Sequence, residues 1–233
     1  MHILLLGASG RTGKLILHEA LSNSHTVTAL VRDPSSLTPT SGLTITTGTP
    51  LSYSSIEAAI TSTPSQKIPD AIIIALASVR ATDSPFSKPT SPPRLLTESH
   101  ARVLEVMRKF GIGRLITISA FGVGESIRNV FLPVRMVLKY SSMAYAFEDH
   151  GEVESLVRRT AGEWKKAGRE LEWTLVRPCM LNDGEVAEVR VLGDEGEGAG
   201  FMAGISRGSL VRFLVERCLE KGEFVGCTPV ICN

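Results

Sequence analysis

The chain has 233 residues, of which 43% are hydrophobic, and 25 Lys and Arg stand against 24 Asp and Glu. That length suits one α/β domain spanning 1–233 with a proper core. A net charge of +1 excludes a general attraction for nucleic acid or an anionic membrane, so a small-molecule substrate is expected and any phosphate binding must be local. The four cysteines, at 179, 218, 227 and 232, form no C-x-x-C pair and show no zinc spacing with histidine, so no metal is expected. Scattered thiols fit a reducing compartment, the cytoplasm, and no apolar run approaches the roughly 20 residues that span a bilayer.

In chain order, residues 2–6 (HILLL) are apolar and end at Gly7, the composition of a strand buried on both faces of a parallel sheet. The stretch has no basic n-region and runs straight into glycines, so it reads as a strand and not a leader. A helix is predicted over 12–23, with Leu15, Ile16, Ala20 and Leu21 as its apolar stripe. TVTALV at 26–31 is a β-branched second strand, stopped by Arg32-Asp33-Pro34. Residues 43–47 form a third strand and 54–61 a short helix. AIIIAL at 71–76 is the fourth strand, followed by a polar, proline-rich loop over 78–93. The next helix, 94–110, carries Leu96, Val103, Met107 and Phe110 on one stripe, and Gly111 stands where a C-terminal glycine cap belongs. RLITISA at 114–120 is the fifth strand.

Strands alternating with helices predict a Rossmann-type, doubly wound α/β fold with a mainly parallel sheet. Beyond 121 the pattern gives an apolar helix over 131–147, a charged and largely exposed helix over 152–167, and a sixth strand at 173–176 broken by Pro178. An alternating segment at 186–192 reads as a strand in a small C-terminal excursion on the substrate side. An acidic, glycine-rich stretch at 194–200 reads as a mobile loop, with a helix over 206–219 and a closing strand at 224–231 after it. No repeat and no linker divides the chain.

Gly7-Ala8-Ser9-Gly10-Arg11-Thr12-Gly13 has the form G-x-x-G-x-x-G, between a buried strand and a helix. The first glycine permits a tight turn, Gly10 lets backbone approach a pyrophosphate, and Gly13 lets helix and strand pack closely. The N–H groups of the first helical turn point at the anion and the helix dipole favours it. A P-loop is excluded, because Gly13-Lys14 is followed by Leu15, with no hydroxyl for magnesium. At the end of the second strand an NAD site places an acid on the ribose 2′-OH, whereas an arginine accommodates the 2′-phosphate. Arg32 stands there, followed by Asp33, with Ser35 and Ser36 as further donors and Arg11 reaching from the glycine turn, so NADP(H) is the expected cofactor.

The segments GASGRTG, VTALVRDPSSL, DAIIIALAS, TISAFG, DHGEVE, EWTLVRPCML and EKGEFVGCTPVI occur in that order. Together they resemble the NmrA-like atypical short-chain dehydrogenase/reductase family, and within it the flavin reductase/biliverdin reductase B type. The resemblance covers most of the chain and fades over 122–147, 155–170 and 194–200. It implies that Gly7, Ser9, Gly10, Arg11, Thr12 and Gly13 hold the pyrophosphate and ribose, and that Arg32 and Ser36 meet the 2′-phosphate. Thr49 and Pro50 follow the third strand, where the family meets the adenine; the family has an acidic residue where this chain has Thr49. Leu76, Ala77, Ser78 and Arg80 would run beside the cofactor, Ser119 near the nicotinamide, and Pro178, Met180 and Leu181 along its other side. His150 matches a histidine in the family's D-H motif.

Standard short-chain dehydrogenases use Tyr-x-x-x-Lys, with the lysine lowering the tyrosine pKa. Here Tyr53, Tyr140 and Tyr145 are followed four residues on by Glu57, Ala144 and Asp149, so the usual alcohol–ketone proton relay is missing. Hydride transfer to an electron-poor conjugated system needs less, because solvent supplies the proton and the protein orients two flat rings. Ser119 is then a candidate donor to the carboxamide or substrate. His150, with an ordinary pKa near 6.5, is a candidate proton donor. Met136, Met143 and Phe147 read as core or pocket lining, and Trp164 and Trp173 as core. The leading expectation is an NADPH-dependent oxidoreductase acting on a flavin, quinone or secondary metabolite. A polyketide tailoring enzyme of the averufin oxidase type, an NmrA-like NADP(H) sensor using the 152–167 helix as a partner surface, and an idle Rossmann domain are the alternatives.

Overall fold

Strand β1 (His2–Leu6) has no solvent-facing side: all five residues are buried, as an apolar strand must be when helices cover both faces of a parallel sheet. In a computed structural model, which describes residues 1–62, 67–82 and 84–233, its alternate side chains enter two cores. Ile3 and Leu5 pack on one face with Ile16 and Ala20 of α1 (Arg11–Ser22) and Leu210 of α6 (Arg207–Arg212). Leu4 and Leu6 pack on the other with Ile56 of α2 (Tyr53–Thr61), Val103 and Met107 of α3 (Leu95–Phe110), and Val157 and Trp164 of α5 (Met143–Lys166).

Six parallel strands follow the order β3 (Leu43–Thr47), β2 (Thr26–Val31), β1, β4 (Ala71–Ile74), β5 (Arg114–Ile118), β6 (Glu172–Pro178). Beyond β6 lie β10 (Val230–Cys232), parallel to it, and β8 (Arg190–Val191), the antiparallel edge. Strand β7 (Met180–Asn182) leaves the main sheet and pairs in parallel with β9 (Gly204–Ser206), which is the expected excursion. The order reverses at β1, with β2 on one side and β4 on the other. Leu6 is level with Leu30 and Ile74, so the carboxyl ends of the three strands open one crevice at the switch point.

Helix α3 starts without a cap of its own. Arg94 precedes it at φ +56° and offers no side-chain bond to the first turn. Asp149 of α5 supplies the cap instead, accepting from the N–H groups of Leu96 (2.8 Å) and Thr97 (2.9 Å) and from the Thr97 hydroxyl (2.6 Å). A carboxylate at a helix N-terminus satisfies orphan donors and meets the positive end of the dipole, and here it also clamps two helices together. His100, on the buried face of α3, sits 2.7 Å from the Leu96 carbonyl through Nδ1 and 3.1 Å from the Thr117 hydroxyl of β5 through Nε2. A carbonyl only accepts, so Nδ1 carries the proton and Nε2 accepts from the hydroxyl.

Several elements differ from their sequence patterns, each for a local reason. The apolar helix over 131–147 is two helices, α4 (Leu132–Tyr140) and the start of α5. The break is at Ser141, whose backbone is extended and whose hydroxyl accepts from the Met143 N–H (3.2 Å), the competition by which serine interrupts helices. The charged 152–167 helix is therefore the continuation of a 24-residue helix, and it buries Val153, Glu154, Val157 and Trp164. His150 and the DHG triplet lie within this helix. Leu15 is exposed; Gly13, Ile16, Leu17 and Ala20 form the buried stripe of α1. Of the alternating segment 186–192 only Arg190–Val191 is strand, because side chains of Ser209 and Asn233 take the backbone bonds of Ala187 and Glu188. The final helix is α-helical over Arg207–Arg212 and continues in π form over Phe213–Glu220, and the closing strand is confined to β10. Residues 194–200 are held by hydrogen bonds described below.

Burial pushes both His100 and His150 down to about 4, His150 also through its neighbour His100. An unfolded imidazole titrates near 6.5, so between these values the unfolded chain binds more protons and acid favours it. Stability is expected to be full above about pH 6.5 and to fall as pH drops from there towards 4, by up to ~1.4 kcal/mol per pH unit for each histidine. Urea unfolding at a series of pH values, with His100→Gln alongside, checks this: the variant loses part of the slope in that window.

Candidate functional site

The glycine turn is built around one carbonyl. Gly7, at φ +88°, ends β1, and its oxygen accepts from the Gly10 N–H (3.0 Å). A Cβ on Gly7 would lie 2.5 Å from the carbonyl oxygen of Ala75 at the end of β4, and a Cβ on Gly13 would lie 2.0 Å from the Gly7 oxygen. Both positions admit hydrogen only. Gly10 is different: its φ of −73° is open to any residue, it is exposed, and a Cβ there would meet nothing nearer than the Gly7 oxygen at 3.3 Å. Space at Gly10 is thus kept on the solvent side and not by the protein's own packing. No side chain caps α1 and its first turn contains no acid, which leaves the helix N-terminus suited to a phosphate. The cradle, the bare Cα at Gly10 and the uncapped helix fit the pyrophosphate of a dinucleotide.

Arg32 is exposed at the end of β2. Asp33 is turned into its own backbone turn: its carboxylate accepts from the Ser35 N–H (2.9 Å) and hydroxyl (2.7 Å), bonds that hold it below the usual carboxylate range. The Ser36 hydroxyl donates to the Asp33 carbonyl (2.6 Å). The acid is thereby engaged locally while Arg32 is exposed. Thr49 is half-buried beyond β3, its hydroxyl 3.4 Å from the Leu51 N–H.

After β4, Leu76 packs against the second core, Ala77 is exposed, and Ser78 and Arg80 are half-buried. Ser78 and Arg80 line a cleft of about 590 Å³ with Arg94, Tyr145 and Asp149; the glycine turn is not among its walls. Arg80 Nε is buried in that cleft wall without a hydrogen-bond partner.

Ser119, buried just past β5, donates its N–H to the Val176 carbonyl (2.7 Å), and its hydroxyl lies 3.5 Å from Glu154 Oε1. His150 and Glu154 are one turn apart on α5 and so share a face. With His150 pushed down to about 4, its ring is neutral near pH 7 and donates from one nitrogen only. Pro178 is buried at the end of β6, Met180 is 58% exposed and Leu181 half-buried.

The sequence pattern did not single out the pair that organises this end of the sheet. Arg177 and Glu154, with side chains 3% and 7% exposed, form a two-pronged ion pair at 2.9 and 2.6 Å. Arg177 also donates to the Asp194 carbonyl (2.6 Å), and the Asp194 carboxylate accepts from the Thr228 N–H (3.0 Å). Asn129 donates to the Glu195 carbonyl (3.0 Å). These bonds pin the segment expected to be a mobile loop. A Cβ on Gly124 would fall 2.7 Å from Arg177 and 2.9 Å from Glu154, so the loop after β5 closes on the pair as well. The signal in the sequence was an arginine inside the apolar strand TLVRP, which requires a buried partner.

Among the described residues no helix is long and apolar enough to cross a membrane, and no group of three or more His, Cys, Asp or Glu could hold a metal. The order β3-β2-β1-β4-β5-β6 with a glycine turn at the switch point defines a Rossmann-fold dinucleotide-binding protein. Residues 7–221 match the NAD(P)H-binding family, and the chain belongs to it. No curated protein matches the sequence. Among solved structures, the chain is similar to ChuY, an anaerobillin reductase from Escherichia coli O157:H7, at 18% identity and TM-score 0.72, covering 100% of this chain and 97% of that one. A candidate NADH-flavin reductase from Streptococcus pneumoniae TIGR4 is similar at 18% identity and TM-score 0.69, covering 100% and 99%. A Rossmann-fold NAD(P)-binding family protein from Shigella flexneri is similar at 17% identity and TM-score 0.67, covering 99% and 92%. At these identities the likeness is one of fold.

Gly10→Val and Gly13→Ala are expected to fail differently. The first fills the phosphate approach and abolishes dinucleotide binding with little change in Tm; the second overpacks the turn and costs about 1–3 kcal/mol of stability. Thermal unfolding with cofactor titration separates them. Glu154→Ala leaves a buried guanidinium unpaired and is expected to cost about 3–5 kcal/mol, read by chemical denaturation.

Proposed function

We propose that this protein is an NADPH-dependent reductase of the atypical short-chain dehydrogenase/reductase type that passes a hydride to a conjugated small molecule such as a flavin or quinone. The observation that carries the reading is the division of labour at the end of β2: Asp33 is tied into its own turn by Ser35 and Ser36 while Arg32 stays exposed. Asp33 already accepts two bonds at Oδ1, and a guanidinium beside it suits a 2′-phosphate.

In this reading the reduced nicotinamide supplies the hydride. Gly7, Ser9, Gly10, Arg11, Thr12 and Gly13 hold the pyrophosphate, Arg32 and Ser36 the 2′-phosphate, and Thr49 the adenine side. Leu76, Ala77, Ser78 and Arg80 flank the cofactor from β4, with Pro178 and Met180 opposite. Ser119 orients the carboxamide or the acceptor through its hydroxyl, and neutral His150 offers a hydrogen bond, with no Tyr-x-x-x-Lys relay in the chain. The names of the similar structures, a bilin reductase and a flavin reductase, support this choice of acceptor class. The chain folds as one unit over 1–233 in the same proposal.

Arg32→Ala is expected to weaken NADPH binding by about 1–3 kcal/mol, the worth of a charge-assisted hydrogen bond, and to leave NADH nearly unchanged. Fluorescence titration of both cofactors tests it. Equal losses for the two would show that Arg32 does not read the 2′-phosphate, and NADPH binding without oxidation by any flavin or quinone would show that the protein is not a reductase of this kind.

A further inference from the structure

Helix α4 is seated on the fold by a single buried residue, Leu138. It meets Val130 and Phe147 around Gly122, where a Cβ would lie within 3.3 Å of all three side chains. Residues four apart on a helix stand in one row, so Leu132, Met136 and Tyr140 form a line turned away from Leu138, with Val137 beside it. These four are 61%, 49%, 66% and 39% exposed. Phe131, the residue before α4, meets Phe201 edge to face at 4.3 Å between ring centroids, and both are exposed, which extends the apolar face past the end of the helix. Scattered exposed apolar residues are ordinary, but a continuous face of this kind marks a contact with a protein or a membrane.

Charge decides between the two. Residues 126–147 contain Arg128, Arg135 and Lys139 and no acid. Arg128 is paired with Glu125 at 2.8 Å. Arg135 and Lys139, four apart along one edge of the apolar row, are exposed and pair with no carboxylate among the described residues. Acids border the face on other elements: Glu195 and Glu197 on the segment that Asn129 holds, and Glu148 on α5. A symmetric pair of copies meeting through α4 would bring these cations together with no acid on either helix to offset them. An anionic lipid surface offsets them and takes up the apolar row at the same time.

We propose that α4 is an interfacial anchor that docks the protein on an anionic lipid bilayer without crossing it. Leu132, Met136 and Val137 enter the boundary between headgroups and acyl chains, Tyr140 sits at headgroup level, and Arg135 and Lys139 stay among the lipid phosphates. A net charge of +1 over the chain gives no long-range attraction, so the contact needs both the apolar row and its basic edge. Helix α4 belongs to the connection between β5 and α5 and so lies at the carboxyl end of the sheet, the end at which the crevice opens. This anchoring is independent of the reductase reading.

Sedimentation of the full chain with vesicles of phosphatidylcholine alone, or of phosphatidylcholine mixed with phosphatidylserine, tests it. Binding to the mixed vesicles is expected to be roughly tenfold tighter than to phosphatidylcholine and to weaken with added salt. Arg135→Gln combined with Lys139→Gln is expected to remove that preference, and Met136→Glu to abolish binding to either vesicle, each with an unchanged Tm because the side chains are exposed. No sedimentation with the mixed vesicles overturns the assignment, as does binding that Met136→Glu leaves intact. Concentration-dependent dimerisation without lipid, abolished by Met136→Glu, overturns it by giving the face to a second copy.

Discussion

Helix α1 begins against the turn that precedes it, closer than any side chain permits. The Gly13 Cα occupies the place where a Cβ would lie 2.0 Å from the Gly7 oxygen, and Gly7 in turn sits over the Ala75 carbonyl at the end of β4. This contact sets where the helix N-terminus points. With α1 seated against the turn, its first turn opens beside the β1–β4 switch point with no capping side chain over it. Shifting the helix outward by one methyl group would move those donors and loosen the layer of Ile16, Leu17 and Ala20 beneath them.

On the opposite side of the switch point the structure relies on charges and not on glycines. Asp149 and Glu154, five residues apart on α5, each leave that helix to do another element's work: one caps α3, the other neutralises Arg177 of β6. Burying such groups is costly unless every lone pair and proton is matched, and here they are matched by backbone N–H groups, by a two-pronged guanidinium and by the Asp194 carbonyl. The return is geometric. The segment after β6 is joined to 203–206 by the β7–β9 ladder, while the loop after β5 and the 194–195 backbone meet at the Arg177–Glu154 pair, and Ser119 lies at the edge of the same network.

Most of the parallel sheet was legible from residues 1–120 because its central strands are apolar runs and its helices carry stripes, so local pattern and tertiary burial agree. The glycine turn was legible for the same reason: its spacing encodes a steric requirement that the coordinates meet at Gly7 and Gly13. What the sequence did not disclose depends on partners far apart in the chain. Nothing near Arg94 announces that α3 is capped from residue 149, and nothing near Asp194 announces that a strand arginine 17 residues away holds its carbonyl. Glycine and acidic content over 194–200 describes an unpartnered peptide, which is why those residues read as mobile. The helix over 131–147 was misjudged at a single hydroxyl, Ser141, whose bond to Met143 outcompetes the helical one.

These two kinds of anchoring explain the shape of the site's chemistry. A dinucleotide presents the same phosphates to every protein that binds it, so its half of the crevice is fixed by backbone geometry and a few exposed cations. The far end of the sheet has no such invariant to satisfy. It is assembled from segments tied by the buried Arg177–Glu154 pair and by the β7–β9 ladder, and exposed side chains on those segments are left to differ in size and polarity without disturbing the fold. Met180, Phe201 and Met202 stand exposed at such positions, where substitution costs the fold far less than at Arg177 or Glu154.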